Sequence, residues 1–167
     1  MSRSLEVRLA DVDEPMLETL LHLAQDDALP DEVTPPLGSG SGWNLERSQW
    51  FRAYHRAAAG GLNGPSQEKS WAVLCDGTPA GSIRLKRTAD LNTAETGIWL
   101  GRSFRGRGVG TAALKLVLAE ARSAGLLQVV ARTTAGNIGA QRILGGAGAL
   151  LTHDDDGAVS AAVVLPH

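Results

Sequence analysis

The chain has 167 residues, 43% of them apolar and 20% charged, with a formal charge of -2. That length buries one core and leaves too little for two, so residues 1–167 read as a single domain. The near-neutral balance lacks the net basic surface of a dedicated nucleic-acid binder, and 4% aromatic content leaves the core to Ala, Val, Leu and Ile around four Trp.

Cys75, the one cysteine, can close no intramolecular disulfide. Together with His22, His55, His153 and His167 it shows no metal-ligand spacing, so no metal site is expected. Through Asp13 the N-terminus alternates charged with apolar residues, and no apolar run approaches the roughly 20 residues of a bilayer span. The chain therefore reads as cytoplasmic, with neither a membrane nor nucleic acid among its partners.

Leu5, Val7 and Leu9 alternate with polar neighbours and predict a first strand. Asp13, Glu14 and Pro15 form a helix start, followed by an apolar stripe of Leu17, Leu20, Leu21 and Ala24 that ends near Gln25. From Ala28 to Gly42, three prolines and a Gly-Ser-Gly-Ser-Gly run predict a mobile loop. A second helix starts at Asn44 and carries Trp50, Tyr54 and Ala57/Ala58 before Gly60-Gly61 stops it.

The period then becomes strand-like. Trp71 to Cys75, the Asp76-Gly77 turn and Ala80 to Arg87 predict a hairpin, and Glu95 to Leu100 a third strand of that set. A helix from Thr111 to Ser123 follows, apolar at Ala113, Leu114, Val117, Leu118 and Ala121, and closed by Gly125. Leu127 to Ala131 is the next strand, Asn137 caps a short helix to about Leu144, and Ala149 to Asp154 with Ala158 to Leu165 form a closing hairpin. The order β-α-α-β-β-β-α-β-α-β-β is an α/β (α+β) sandwich on a mixed sheet, without internal repeats.

Chemistry concentrates between the third of these strands and its helix, in Arg105-Gly106-Arg107-Gly108-Val109-Gly110-Thr111. Glycines let main chain approach a ligand closely, while the N–H groups and dipole of an acid-free helix start favour an anion such as a diphosphate. Arg102, Arg105 and Arg107 add positive charge. A Walker-type loop needs Gly-Lys-Ser/Thr, which is absent. The loose dinucleotide pattern is met, but its acidic residue about twenty positions on is replaced here by Val129, Val130 and Arg132, and antiparallel hairpins rather than βαβ units precede the loop.

Arg105-x-x-Gly108-x-Gly110 after a strand resembles the acyl-CoA pyrophosphate loop of the GNAT N-acetyltransferases. The resemblance runs from Trp71 through Glu95-Thr-Gly-Ile-Trp-Leu100, the loop and Asn137 to Gly148-Ala-Leu150, roughly the C-terminal 95 residues. Within the superfamily, Glu95 to Leu100 is similar to the branch of ribosomal-protein N-terminal acetyltransferases and relatives acting on small amines. It implies central strands that splay to admit pantetheine, with main-chain contacts at Ile98, Trp99 and Leu100. Diphosphate contacts fall on Arg105, Gly106, Arg107, Gly108, Val109, Gly110 and Thr111, and Asn137 meets the pantetheine amides. Glu95 lies about 16 Å from the start of the loop at strand rise, close to the length of a pantetheine arm.

The implied reaction is acetyl transfer from acetyl-CoA to a primary amine, a peptide N-terminus or small amine, with Glu95 as base. A bulge at Gly97 would free an N–H, at Ile98 or a neighbour, for the thioester oxygen. The family's Ser three residues after the Asn is Ala140 here, so no general acid is named, and a non-catalytic acyl-CoA-binding or sensing module is the alternative. Tyr54 reads as packing, His22 and His55 as surface or satisfied core residues, Cys75 as a buried hydrophobe and Asp154-Asp155-Asp156 as a solvated turn. Asp11, Asp13, Glu14, Glu18, Asp26, Asp27, Asp31 and Glu32 occur without an intervening Lys or Arg, which suggests a cationic acceptor if they border its entrance. A homodimer is the remaining partner considered.

Overall fold

A computed structural model describes residues 5–166; residues 1–4, part of the stretch read for a leader, and His167 lie outside them. The chain forms one seven-stranded sheet in the order β1-β2-β3-β4-β5-β7-β6. Its strands are β1 (Val7–Asp11), β2 (Glu68–Cys75), β3 (Thr78–Arg87), β4 (Thr93–Leu100), β5 (Gln128–Thr134), β6 (Leu150–His153) and β7 (Ala158–Val164). The helices are α1 (Glu14–Asp27), α2 (Pro30–Val33), α3 (Leu45–Ala58), α4 (Val109–Ser123) and α5 (Ile138–Gly146). Apart from α2, this is the order read from the sequence.

The helix starts have the expected chemistry. Asp13 accepts from the Met16 N–H at 2.9 Å and Asn44 from the Arg47 N–H at 2.8 Å, each satisfying an N–H the helix cannot. Two regions depart from expectation. Within the proline-rich stretch, Pro30 opens the short helix α2, since its fixed φ suits a first helical position, and Glu32 reaches back to the Leu29 N–H at 2.8 Å. In α3 the buried side is Arg47, Ser48, Phe51, His55 and Ala58, one residue round from the expected stripe, and Ala57 is exposed. Two adjacent aromatics, Trp50 and Phe51, make the helical phase ambiguous in sequence, and packing on the sheet selects Phe51.

The sheet carries a core on each face. On one, Val109, Ala113, Leu114, Val117 and Ala121 of α4 and Leu144 of α5 pack on Val73, Ile83, Leu85 and Val129. On the other, Leu20 and Leu21 of α1 and Phe51 of α3 pack on Ala72, with Trp99 against them. Cys75 is buried at 3% exposure, as a small hydrophobe would be. Among the described residues, no helix is long and apolar enough to cross a membrane.

One irregularity organises the site. Parallel pairing between β4 and β5 covers only Thr93 to Glu95 against Gln128 to Val130, although both strands continue beyond it. Past Glu95 the two splay apart, while β4 stays paired with β3 as far as Leu100 and β5 with β7.

Candidate active site

The splay, rather than a bulge, exposes main chain. The β3–β4 register runs unbroken from Arg87↔Ala94 to Gly81↔Leu100, so the bulge expected at Gly97 is absent. Hydrogen bonds of that ladder, including Gly101 N–H to Ala80 O and Thr88 N–H to Thr93 O, put Glu95, Gly97 and Trp99 in the pairs that face β3. The alternate residues Thr96, Ile98 and Leu100 turn their peptide groups toward the side that β5 has left. The Leu100 carbonyl there accepts from Arg105 Nε at 3.0 Å and Nη2 at 2.9 Å. Ile98 thus offers main chain to the gap; Trp99 turns its main chain to Ser82 and its ring to Phe51, 6.3 Å away.

At the far end of β4 the chain makes a 3₁₀ turn, Arg102–Phe104, and enters the glycine loop. Gly106 and Gly108 have φ of +70° and +83°, and Gly108 is the N-cap of α4 with no side-chain cap. The first N–H groups of α4 are free of capping side chains, and its first turn holds no acid. The glycines are not equivalent. A Cβ on Gly108 would meet nothing within 4 Å, so its backbone conformation demands glycine, whereas one on Gly110 would lie 2.5 Å from Ile143 Cδ1. Gly110 thus serves the packing of α5 on α4 rather than leaving room for a ligand. Gly146 is similar, with Thr111 Cγ2 at 3.1 Å from its would-be Cβ, which accounts for a glycine inside the last helix.

The loop arginines point in different directions. Arg105 holds Leu100 and pairs with Glu32 at 3.0 Å; Arg107 lies 6.0 Å over the Phe104 ring, with Nη1 3.4 Å from Ser103 O. Asn137 caps α5 through Oδ1, accepting from the Ala140 N–H at 3.0 Å. Its amide nitrogen makes no bond to another described residue, and Ala140 brings no hydroxyl to this corner.

On the α1–α3 face a cavity of about 750 Å³ opens along β4. Trp50, Phe51, Tyr54, His55 and Trp99 wall it on one side, Asp31 to Pro35 on another, and Glu68, Arg84, Lys86 and Glu95 are among its polar residues. Glu95 is half-exposed and pairs with Arg84 at 3.1 Å. Tyr54, stacked on Trp50 at 5.2 Å, donates to Glu68 Oε2 at 2.7 Å; burial, then this carboxylate, push its phenol pKa upward. His55 is 2% exposed, hydrogen-bonds Ser70 Oγ at 2.8 Å, and burial pushes its pKa down to about 4, which keeps the imidazole neutral. His22 is exposed, as are Asp154 to Asp156 in the β6–β7 turn.

Seven of the eight clustered acids are engaged. Asp11 pairs with Lys69, Glu14 with Arg56, Glu18 with Arg52, Asp31 with Arg47 and Glu32 with Arg105. Asp13 caps α1, and Asp27 accepts from the Ser103 N–H at 3.0 Å, which holds its pKa down. Burial raises the Glu32 pKa, but hydrogen bonds from Arg105 and the Leu29 N–H outweigh it, leaving a net lowering. The sequence alone does not single out Glu68 and Arg84. The signal for Arg84 is the alternation Ser82, Arg84, Lys86 on one face of β3, and that for Glu68 is its place two residues before Ser70 on β2; neither means much until the register is known. Among the described residues, no cluster of three His, Cys, Asp or Glu could hold a metal ion.

The family model of the acetyltransferase (GNAT) domain matches residues 9–149. The chain belongs to the GNAT acetyltransferase family. It is an acyltransferase on a mixed α/β fold, and solved structures share that fold at low identity. The GNAT domain of S. lividans PAT superposes with a TM-score of 0.71 at 20% identity, over 96% of this chain and 90% of that one. The acetyltransferase from Salmonella typhimurium that modifies the N-terminal serine of 50S ribosomal subunit protein L7/L12 gives 0.71 at 17% identity, over 99% and 97%. The microcin C7 self-immunity acetyltransferase MccE, in complex with acetyl-CoA and AMP, gives 0.70 at 14%, over 95% and 92%. Comparison with curated proteins finds no match.

Proposed function

We propose that this GNAT domain transfers the acetyl group of acetyl-CoA directly to a primary amine, a peptide N-terminus or a small amine, and that it belongs to the ribosomal-protein N-terminal acetyltransferase-like branch. The observation that carries the reading is the parting of β4 and β5 after Glu95, between an anion-binding helix start and a cavity that holds a carboxylate. These residues fit acetyl-CoA: a positive-φ glycine cradle for the diphosphate, and a strand gap with free main chain for the pantetheine arm.

Main-chain donors from Gly106 to Thr111 hold the diphosphate, with Arg102 and Arg107 adding charge, while Arg105 braces the end of β4 from the side. Ile98 and the Leu100 N–H bind the pantetheine amides, Asn137 Nδ2 reaches the same arm, and Trp99 supports this stretch through packing. At the reacting centre the amine nitrogen attacks the thioester carbonyl carbon. An N–H facing the gap, that of Ile98, stabilises the oxyanion. The C–S bond breaks as the new C–N bond is completed, and Glu95 takes the amine proton directly or through a water. A thiol's pKa near 8.5 makes thiolate an adequate leaving group, which suits a site with Ala140 and no acid at that corner.

Lys69, Arg105 and the α3 arginines answer most of the acidic cluster, Asp31 and Glu32 at the cavity wall included, so any preference for a cationic acceptor is weak. Acetyl-CoA and a reducing environment for Cys75 suit the cytoplasm. Titration calorimetry with acetyl-CoA, CoA and NAD tests the cofactor class: both CoA species bind, and binding of NAD alone would overturn the reading. Thiol release is then followed with a panel of a tetrapeptide with free N-terminal serine, spermidine, tyramine and phenylalanine amide. Glu95→Gln lowers kcat about a hundredfold and leaves acetyl-CoA affinity unchanged, and an unchanged kcat would remove Glu95 from the mechanism. Acetyl-CoA binding without thiol release from any amine would instead point to a sensing module.

A further inference from the structure

The cavity floor contains an ion network whose geometry follows from strand register. Glu68, Lys86 and Glu95 lie side by side on β2, β3 and β4, and Ser70, Arg84 and Gly97 form the next row. Lys86 is the direct neighbour of both glutamates, yet among the described residues it pairs with neither. Arg84 reaches diagonally to both, with Nη2 3.1 Å from Glu95 Oε1 and Nη1 3.8 Å from Glu68 Oε2. A planar guanidinium fork can answer two carboxylates at once, which a single ammonium in that row does not do here.

The diagonal path crosses Gly97. A Cβ there would lie 3.1 Å from Arg84 Nε and 3.2 Å from Nη2, tighter than such contacts normally allow, so the guanidinium lies flat on β4 because that position has no side chain. The far end of the network is anchored in the interior. Glu68 has a side chain 11% exposed and is held by the Tyr54 hydroxyl, and Tyr54 stacks on Trp50. The near end is loose by comparison: the Glu95 side chain is 45% exposed, and Arg84 is the one described side chain that donates to it.

We propose that Arg84 is the positioning residue of Glu95, gripping Oε1 from the buried Glu68–Tyr54 anchor so that Oε2 stays directed at the amine, and that Gly97 is glycine to let it do so. The inference rests on the reading of Glu95 as base. A half-exposed ion pair adds little to stability, whereas a base displaced by an ångström loses much of its rate, so the grip reads out in kcat.

The test is a double-mutant cycle on thiol release, using acetyl-CoA and the fastest amine of the four-member panel. Arg84→Met lowers kcat about tenfold to a hundredfold and moves the acetyl-CoA KM less than about twofold. In the Glu95→Gln background the same substitution costs less than about threefold, because Arg84 acts through a carboxylate that is already gone. Gly97→Ala keeps every charge but crowds the guanidinium, and lowers kcat several-fold in the wild-type background alone; it replaces Arg84→Met in the cycle should that variant not fold. Full kcat in Arg84→Met, or losses that multiply in the double variant, would overturn the positioning role while leaving Glu95 as base. An unaffected Glu95→Gln enzyme would remove both.

Discussion

The glycine loop before α4 follows the end of β4, the cavity under α3 runs along the same strand, and the two are specified in different ways. The loop is local. Its two left-handed glycines, its uncapped helix start and its arginines lie within ten residues, so the structure follows from the order of residue types. The cavity is assembled from β2, β3, β4, α2 and α3, and its decisive contacts join residues of different elements, as in Arg84 with Glu68 and Tyr54 with Glu68. A binding site for a constant chemical group can be written in one segment. A site for a variable acceptor is written in the register of a sheet.

The sharpest way to break that contrast is Gly108→Val. A β-branched residue at φ +83° is strained even in open space, so the loop re-forms and CoA affinity falls by more than about a hundredfold in calorimetry, while the cavity side is untouched. Wild-type affinity in a folded variant would refute the loop assignment.

On the cavity side, His55 makes stability depend on pH. Its folded pKa, about 4, lies below the ordinary 6.5, so between these values the unfolded chain binds the extra proton. The stabilisation of the neutral imidazole is complete above pH 6.5 and is lost as pH falls toward 4, by up to roughly 3 kcal/mol. Urea melts at pH 7.5 and 4.5 should show a smaller loss in His55→Asn than in the wild type. An equal loss in both would place the titrating group elsewhere.

A smaller effect separates two glycines within the loop. Gly110→Ala pushes a Cβ into Ile143 Cδ1 and costs about 1–2 kcal/mol in denaturant melts, partly restored by Ile143→Val, with CoA affinity changed only a few-fold. A collapse of affinity without loss of stability would mean that the missing side chain at Gly110 makes room for the diphosphate rather than for Ile143.

The same division explains what could be read in advance. The strand and helix order and the capping residues Asp13, Asn44 and Asn137 are legible because period and cap chemistry are local. The short helix α2 is hidden by prolines that usually argue against helices, although Pro30 stands at the position where proline is tolerated. The buried side of α3 is displaced by one residue because Trp50 and Phe51 compete for it. The acidic cluster looks like an open field in sequence, yet its countercharges Arg47, Arg52, Arg56, Lys69 and Arg105 come from α3, β2 and the loop. Gly97 invites a bulge, and the structure instead opens the sheet between β4 and β5 and uses the missing side chain to seat Arg84.

The central claim, that acetyl-CoA enters between β4 and β5 with its diphosphate on the α4 start, is tested most directly by amide hydrogen exchange with and without acetyl-CoA. The account predicts new protection at Ile98 and from Gly106 to Thr111, with the β6–β7 hairpin unchanged. Protection absent from both segments while acetyl-CoA is bound would contradict it.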